Sequence, residues 1–143
     1  MVTEHNVEVA IRWSDMDMNS HVNNVQYFRL LEEARARFFT TAADPSQLLE
    51  RGIVVASQRL DYLRPLVYRA EPIRVGLSVT EIGRSSFTLD CRIFDQVEHS
   101  DDLIYASGAV VIVAFHEQEQ RARQWEPDER KWLTNARELV TLS

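Results

Sequence analysis

The chain has 143 residues, room for one domain with one core and little for a second. Its formal net charge of −6 excludes the broad basic surface that general nucleic-acid binding needs. Cys91 is the only cysteine, so neither an intramolecular disulfide nor a cysteine metal cluster can form, and no run of about 18 apolar residues is present to cross a bilayer.

The segment Met1 to Glu8 is polar, with no apolar signal region, and a cytoplasmic protein is expected. From Val7 to Trp13 apolar residues alternate (Val7, Val9, Ile11, Trp13), which predicts a half-buried strand. The polar run Ser14 to His21 supplies turn and helix-cap residues. From about Asn23 to Thr41 the period changes. Val25, Phe28, Leu31, Ala34 and Phe38 recur at steps of three and four, predicting an amphipathic helix of about five turns. Glu33 and Arg37 form an i,i+4 pair on it. Asp44-Pro45-Ser46 breaks the pattern, and Pro45 is placed to open a short helical turn.

Strands follow. Ile53 to Leu63 is rich in Val, Ile and Tyr and stops at Pro65. Ile73, Val75, Leu77 and Val79 alternate with polar or small residues, and after a Gly83-Arg84-Ser85 turn so do Phe87, Leu89, Cys91 and Ile93. Leu103 to Phe115 is apolar on both faces, as a central strand should be. Pro127 is placed to start a terminal helix over Asp128 to Leu142. An antiparallel sheet with one helix buried against one face satisfies this order. The sheet would wrap around the helix, because Phe28, Leu31 and Phe38 need a cover. Its edges and its uncovered face invite dimerisation.

The chemistry concentrates between the first strand and the long helix. There Arg12-Trp13-Ser14-Asp15-Met16-Asp17-Met18-Asn19-Ser20-His21-Val22-Asn23-Asn24 brings together two acids, a histidine and two asparagines, followed by Tyr27. A helix N-terminus offers unpaired N–H groups and partial positive charge, which can polarise a carbonyl and hold an oxyanion. A carboxylate just ahead of it could attack that carbonyl or activate water. Residue by residue the alternatives stay open: either aspartate could be a solvated loop or cap residue, His21 a surface histidine, and Asn23 and Asn24 ordinary N-caps.

This stretch resembles the 4-hydroxybenzoyl-CoA thioesterase-like family of hotdog proteins. That family's pattern is an arginine and aromatic, an aspartate, a small residue, His-Val-Asn-Asn and a tyrosine, matched here by Arg12-Trp13, Asp17, His21-Val22-Asn23-Asn24 and Tyr27. The similarity continues through Asp61-Tyr62-Leu63-Arg64-Pro65-Leu66 and Glu81-Ile82-Gly83-Arg84-Ser85-Ser86-Phe87. It implies a single α+β hotdog domain over residues 1–143. Its antiparallel sheet of about five strands would wrap one long central helix, with a C-terminal helix added.

The resemblance also implies roles. Asp17 falls on the catalytic carboxylate and the Asn24 N–H on the oxyanion donor, with His21 and Asn23 beside them. Arg84, Ser85 and Ser86 fall on a turn that contacts CoA phosphates in relatives, and Arg64, Arg59 and Arg69 are further candidate cations. Tyr27, Phe28 and residues 53–62 would line the acyl pocket. Asp15 ranks behind Asp17, and Glu32 or Glu33 would match another hotdog branch whose acid lies on the central helix. Ser20 stands where many relatives have glycine, and would be strained if the backbone there has positive φ.

The expected reaction is hydrolysis of a thioester carried by CoA or by an acyl carrier protein. No metal or other cofactor is expected, since His21 has no second histidine or cysteine nearby in sequence. No membrane or nucleic-acid partner is expected either, and assembly would be a homodimer or homotetramer. Two rivals share the fold: an acyl-thioester hydratase or dehydratase, and a non-catalytic acyl-CoA binder or oligomerising module.

Overall fold

The N-terminal alternation becomes strand β1 (His5–Val9) in the computed structural model of the chain, which describes residues 2–41 and 51–138. The strand stops before Trp13, which is 76% exposed in a single 3-10 turn, Trp13–Asp15. The cause is local: the Asp15 carboxylate accepts the Arg12 backbone N–H at 2.8 Å and so turns the chain out of the sheet.

Helix α1 (Asn24–Thr41) follows, then β2 (Ile53–Tyr62), β3 (Ile73–Ile82), β4 (Ser86–Asp95), β5 (Leu103–His116), β6 (Arg121–Ala122) and α2 (Pro127–Glu138). The six strands form one antiparallel sheet in the order β1-β3-β4-β5-β2, with β6 added on β5. The short β6 is the one strand that the residue pattern does not predict. β5 is indeed interior. One of its faces (Ala106, Val110, Ile112, Ala114) is buried, while the other (Tyr105, Val111, Val113) is half covered.

α1 lies on the concave face and buries Leu30, Leu31, Ala34, Phe38 and Phe39 against Val75, Leu77, Leu89, Ile93 and Ile112. The apolar stripe is rotated from the predicted one. Val25 is 69% exposed and Phe28 half-buried, while Tyr27 is buried. Tyr27 turns inward because its hydroxyl accepts the Leu66 N–H at 3.1 Å and donates to the Arg64 carbonyl at 3.3 Å.

α2 starts at Pro127 as predicted and closes the core, its Trp132 ring 5.4 Å from that of Phe38. Glu129, fully buried in its first turn, accepts Arg123 Nη1 at 2.7 Å and Nη2 at 3.0 Å, so the charge is paired. The predicted turn at Pro45 and the helix beyond Glu138 lie outside the described residues. No helix among the described residues is long and apolar enough to cross a membrane.

Two features bear on the site. β2 packs so closely on β5 that a Cβ at Gly108 would collide with the Arg59 carbonyl, so glycine is required there. β2 is also an edge strand whose residues are mostly exposed, Val54 and Val55 among them.

Candidate active site

Residues 15–17 and 21–23 close into a small antiparallel clasp. Asp17 N–H donates to the His21 carbonyl at 2.9 Å, Asn23 N–H to the Asp15 carbonyl at 2.8 Å, and Met16 and Val22 are bridged between them. Val22 N–H donates to the Leu66 carbonyl at 2.7 Å, which ties the clasp to the segment after β2. Asp17 is thereby held a few residues from the first turn of α1, as the sequence motif requires.

The turn of the clasp rests on Ser20, whose φ is +61°. A side chain in this region costs about 1–2 kcal/mol, whereas glycine costs about 0.5–1 kcal/mol through the unfolded chain. Ser20→Gly is therefore expected to stabilise the protein by about 0.5–1 kcal/mol, read as a higher urea midpoint at unchanged slope. A lower midpoint would show that the serine is not strained.

The two aspartates have different environments. Asp15 is fully buried and accepts hydrogen bonds from the Arg12 backbone, the Arg12 guanidinium at 3.1 Å and the Arg29 guanidinium. Burial pushes its carboxyl upward, but the bonds from Arg29 and Arg12 outweigh that and hold it below the usual carboxylate value. It organises the loop and faces no open space. Asp17 is half-buried. Its Oδ1 accepts the Asn19 N–H at 2.8 Å, and no cation engages its carboxylate among the described residues.

The helix terminus is partly capped. Asn23 Oδ1 accepts the Val25 N–H at 2.9 Å and its carbonyl accepts Gln26 N–H at 2.8 Å. The Asn24 N–H has no acceptor among the described residues, and the first turn carries no acidic residue to offset the helix dipole. A donor free to meet an incoming carbonyl oxygen thus sits beside the clasp that carries Asp17.

One wall is aromatic. Tyr27 and Tyr62 meet edge to face at 5.0 Å, and the Tyr62 hydroxyl donates to the Asn24 carbonyl at 3.1 Å. The resemblance places Tyr62 among the residues expected to line the pocket, without naming its partner. No local spacing announces that β2 ends against the α1 N-terminus. Trp13, Met18, Val25, Leu63 and Val67, from the segments that flank the clasp, the helix start and the end of β2, each stand more than half exposed.

The remaining candidates separate. Arg64 is near the helix terminus through its carbonyl bond to Tyr27, and its side chain is exposed. Arg69 is held by Asp95, with Nη1 at 2.6 Å, and by the carbonyls of Glu71 and Pro72. Arg59 lies on the outer face of the sheet, beside Asp90, Arg92 and Ser107, away from α1. The turn carrying Arg84, Ser85 and Ser86 joins β3 to β4 at the sheet end where Ile82 pairs with Phe87. The Asp17 clasp follows β1, whose last residue pairs with Ile73 at the other end. Ile73 and Ile82 are the first and last residues of β3, nine residue steps or about 30 Å apart. One chain does not bring the two sets together.

On α1, Glu33 is paired with Arg37, as its spacing predicted, and with Arg29 at 3.5 Å. Glu32 is exposed. His21 lends its carbonyl to the clasp, its side chain being exposed.

A sequence model of the thioesterase-like superfamily matches residues 11–133. A candidate acyl-CoA thioesterase of Xanthomonas campestris is 36% identical, with a TM-score of 0.69 over 84% of this chain and 98% of its own. A candidate thioesterase of Pseudomonas aeruginosa is 30% identical, with a TM-score of 0.76 over 90% of this chain and 97% of its own. A thioesterase of Thermus thermophilus, crystallised with coenzyme A and Zn, is 27% identical, with a TM-score of 0.75 over 92% of each chain.

Proposed function

The chain belongs to the thioesterase-like superfamily, and from that premise we propose that it hydrolyses acyl-CoA thioesters, with Asp17 as the catalytic carboxylate and the Asn24 N–H as oxyanion donor. The observation that carries this reading is the unpartnered Asn24 N–H beside a clasp that presents a carboxylate free of any arginine among the described residues. The thioester carbonyl oxygen takes the Asn24 N–H, and the helix terminus stabilises the negative charge that grows there. Asp17 either adds to the carbonyl carbon, giving an anhydride that water then opens, or takes a proton from the water that adds. In both routes the C–S bond breaks, the sulfur leaves with the bonding pair and is protonated to the thiol, and the acyl group leaves as the acid. One oxyanion donor contributes about 3–4 kcal/mol to such a barrier.

The coenzyme A held by the Thermus thermophilus thioesterase supports CoA as the carrier. A homodimer, alone or paired into a tetramer, is part of the proposal. The exposed edge of β2, with Val54, Val55 and Tyr62 among its exposed residues, supports it. A second copy would also provide the route by which an Arg84-Ser85-Ser86 turn reaches a site at the far sheet end.

The test is thiol release from a panel of aromatic and C2 to C16 acyl-CoAs. Steady release with at least one member is the expected result. No release, with binding retained, would replace this reading by a pure binder, and a hydrated acyl-CoA product would replace it by a hydratase.

A further inference from the structure

Buried charge elsewhere among the described residues is paired: Asp15 by Arg12 and Arg29, Glu129 by Arg123. Arg35 is the exception. It lies on the buried face of α1, between Leu31 and Phe39 in the helical repeat, and is only 8% exposed. A guanidinium carries five N–H donors, yet Arg35 makes one hydrogen bond among the described residues. That bond runs from Nη1 to Gln58 Oε1 at 3.4 Å, which is long. Glu32, one turn earlier, is exposed and makes no direct salt bridge with it, although its charge acts favourably on Arg35 from the same side of the helix. Cys91 gives no compensating charge, because burial pushes its thiol up to about 11. Desolvation lowers the Arg35 pKa, with Glu32 opposing the shift, and no buried nitrogen among the described residues is left without a partner, so the remaining guanidinium N–H groups face the space beside the helix.

Beside Arg35 a cleft of about 190 Å³ opens between α1 and β2, walled by Ala36, Phe39, Val54, Val55 and Ile112, with Glu32 also on its border. The space next to it, toward the helix N-terminus, is bordered by Phe28, Ala56 and Ser57. Arg35 is eleven positions after Asn24, about 16 Å of helix rise. Helical side chains lean toward the N-terminus, which brings the guanidinium to within roughly 10–12 Å of the oxyanion donor. An extended chain of roughly eight to ten carbons covers that span at ordinary bond lengths.

Resting on the thioesterase reading above, we infer that the Arg35 cleft receives the far end of the acyl chain, and that this end carries a carboxylate. The favoured substrates are then medium-chain ω-carboxyacyl thioesters. An apolar groove would suit a methyl-ended chain, but not with an unpaired guanidinium at its end. A carboxylate can take two parallel N–H bonds from that fork. A site built around a buried polar group discriminates strongly against a ligand that leaves it unpaired.

The test is calorimetric binding of non-hydrolysable thioether analogues, decanoyl against ω-carboxynonanoyl, to the native protein and to Arg35→Met and Arg35→Lys. The expected result is at least a tenfold preference for the carboxylate-ended analogue. Arg35→Met should abolish or reverse it, still binding the decanoyl analogue, and Arg35→Lys should retain part of it. Equal affinity of the native protein for both analogues would overturn the inference. So would a preference unchanged in Arg35→Met, or a change only in the association state, which would assign the guanidinium to a carboxylate of a second copy. If the preference appears but no acyl-CoA releases thiol, the thioesterase reading fails and the cleft assignment stands.

Discussion

Asp17→Asn is expected to lower the kcat of thiol release by about 10²-fold or more, roughly 2.7 kcal/mol or more of transition-state stabilisation. The substitution is chosen to leave the loop intact. Asp17 Oδ1 accepts the Asn19 N–H, and the amide oxygen of asparagine can do the same. The clasp bonds from the Asp17 backbone to His21 and from Ser20 back to Asp17 do not involve the side chain. What disappears is the negative charge that attacks or deprotonates. KM should therefore change little and kcat carry the loss, with the same unfolding midpoint as the native protein. A variant that keeps its native kcat would move the carboxylate role to another acid. Glu32 would be first, since it is exposed on α1 whereas Glu33 is tied to Arg37 and Arg29.

Asp15→Ala, two residues away, is expected to act on stability, costing about 3 kcal/mol. The carboxylate removed is fully buried, and its loss strands the Arg12 N–H and two guanidinium groups. Arg12 and Arg29 keep some access to water, 56% and 22% of their side-chain surface, which places the cost at the low end for a broken buried pair. For a domain of this size that corresponds to a fall in Tm of about 10 °C. The pH dependence follows from the lowered pKa. A carboxyl held below its unfolded value contributes its full stabilisation above that value, about 3.9, and loses it as pH falls through the folded value. The difference between native and variant proteins should thus be constant near neutral pH and shrink below about pH 4. A difference that stays the same down to pH 2 would mean that the Asp15 charge contributes nothing.

The opposite expectations for these neighbours show where sequence reasoning reaches its limit. Both are aspartates in one polar loop, and chemistry alone leaves each open to a catalytic or a capping role. The resemblance ranks Asp17 first. The contacts that make Asp15 structural come from Arg29, fourteen residues on, whose spacing on α1 suggests only a position off the apolar stripe. The partner of Tyr62, and Arg35 altogether, escape the sequence for a related reason. The Tyr62 bond to Asn24 and the Arg35 contact with Gln58 join α1 to β2, and no periodicity within either element predicts which residues will meet.

The sequence by itself determined the main elements, their order and the fold class, though not β6 or the early end of β1. Period-2 and period-3.6 patterns are local, and the long helix, the alternating strands and Pro127 are all written in runs of neighbouring residues. It also determined where the motif of the family lies. The tertiary structure decided the rest: that Tyr27 and not Val25 faces inward, that Ser20 adopts positive φ, and that Arg69 is held by Asp95. It alone put Arg84, Ser85 and Ser86 at the opposite end of the sheet from Asp17. These outcomes depend on strand register and on bonds between residues far apart in the chain, where burial and partner are chosen together, and a linear pattern carries neither.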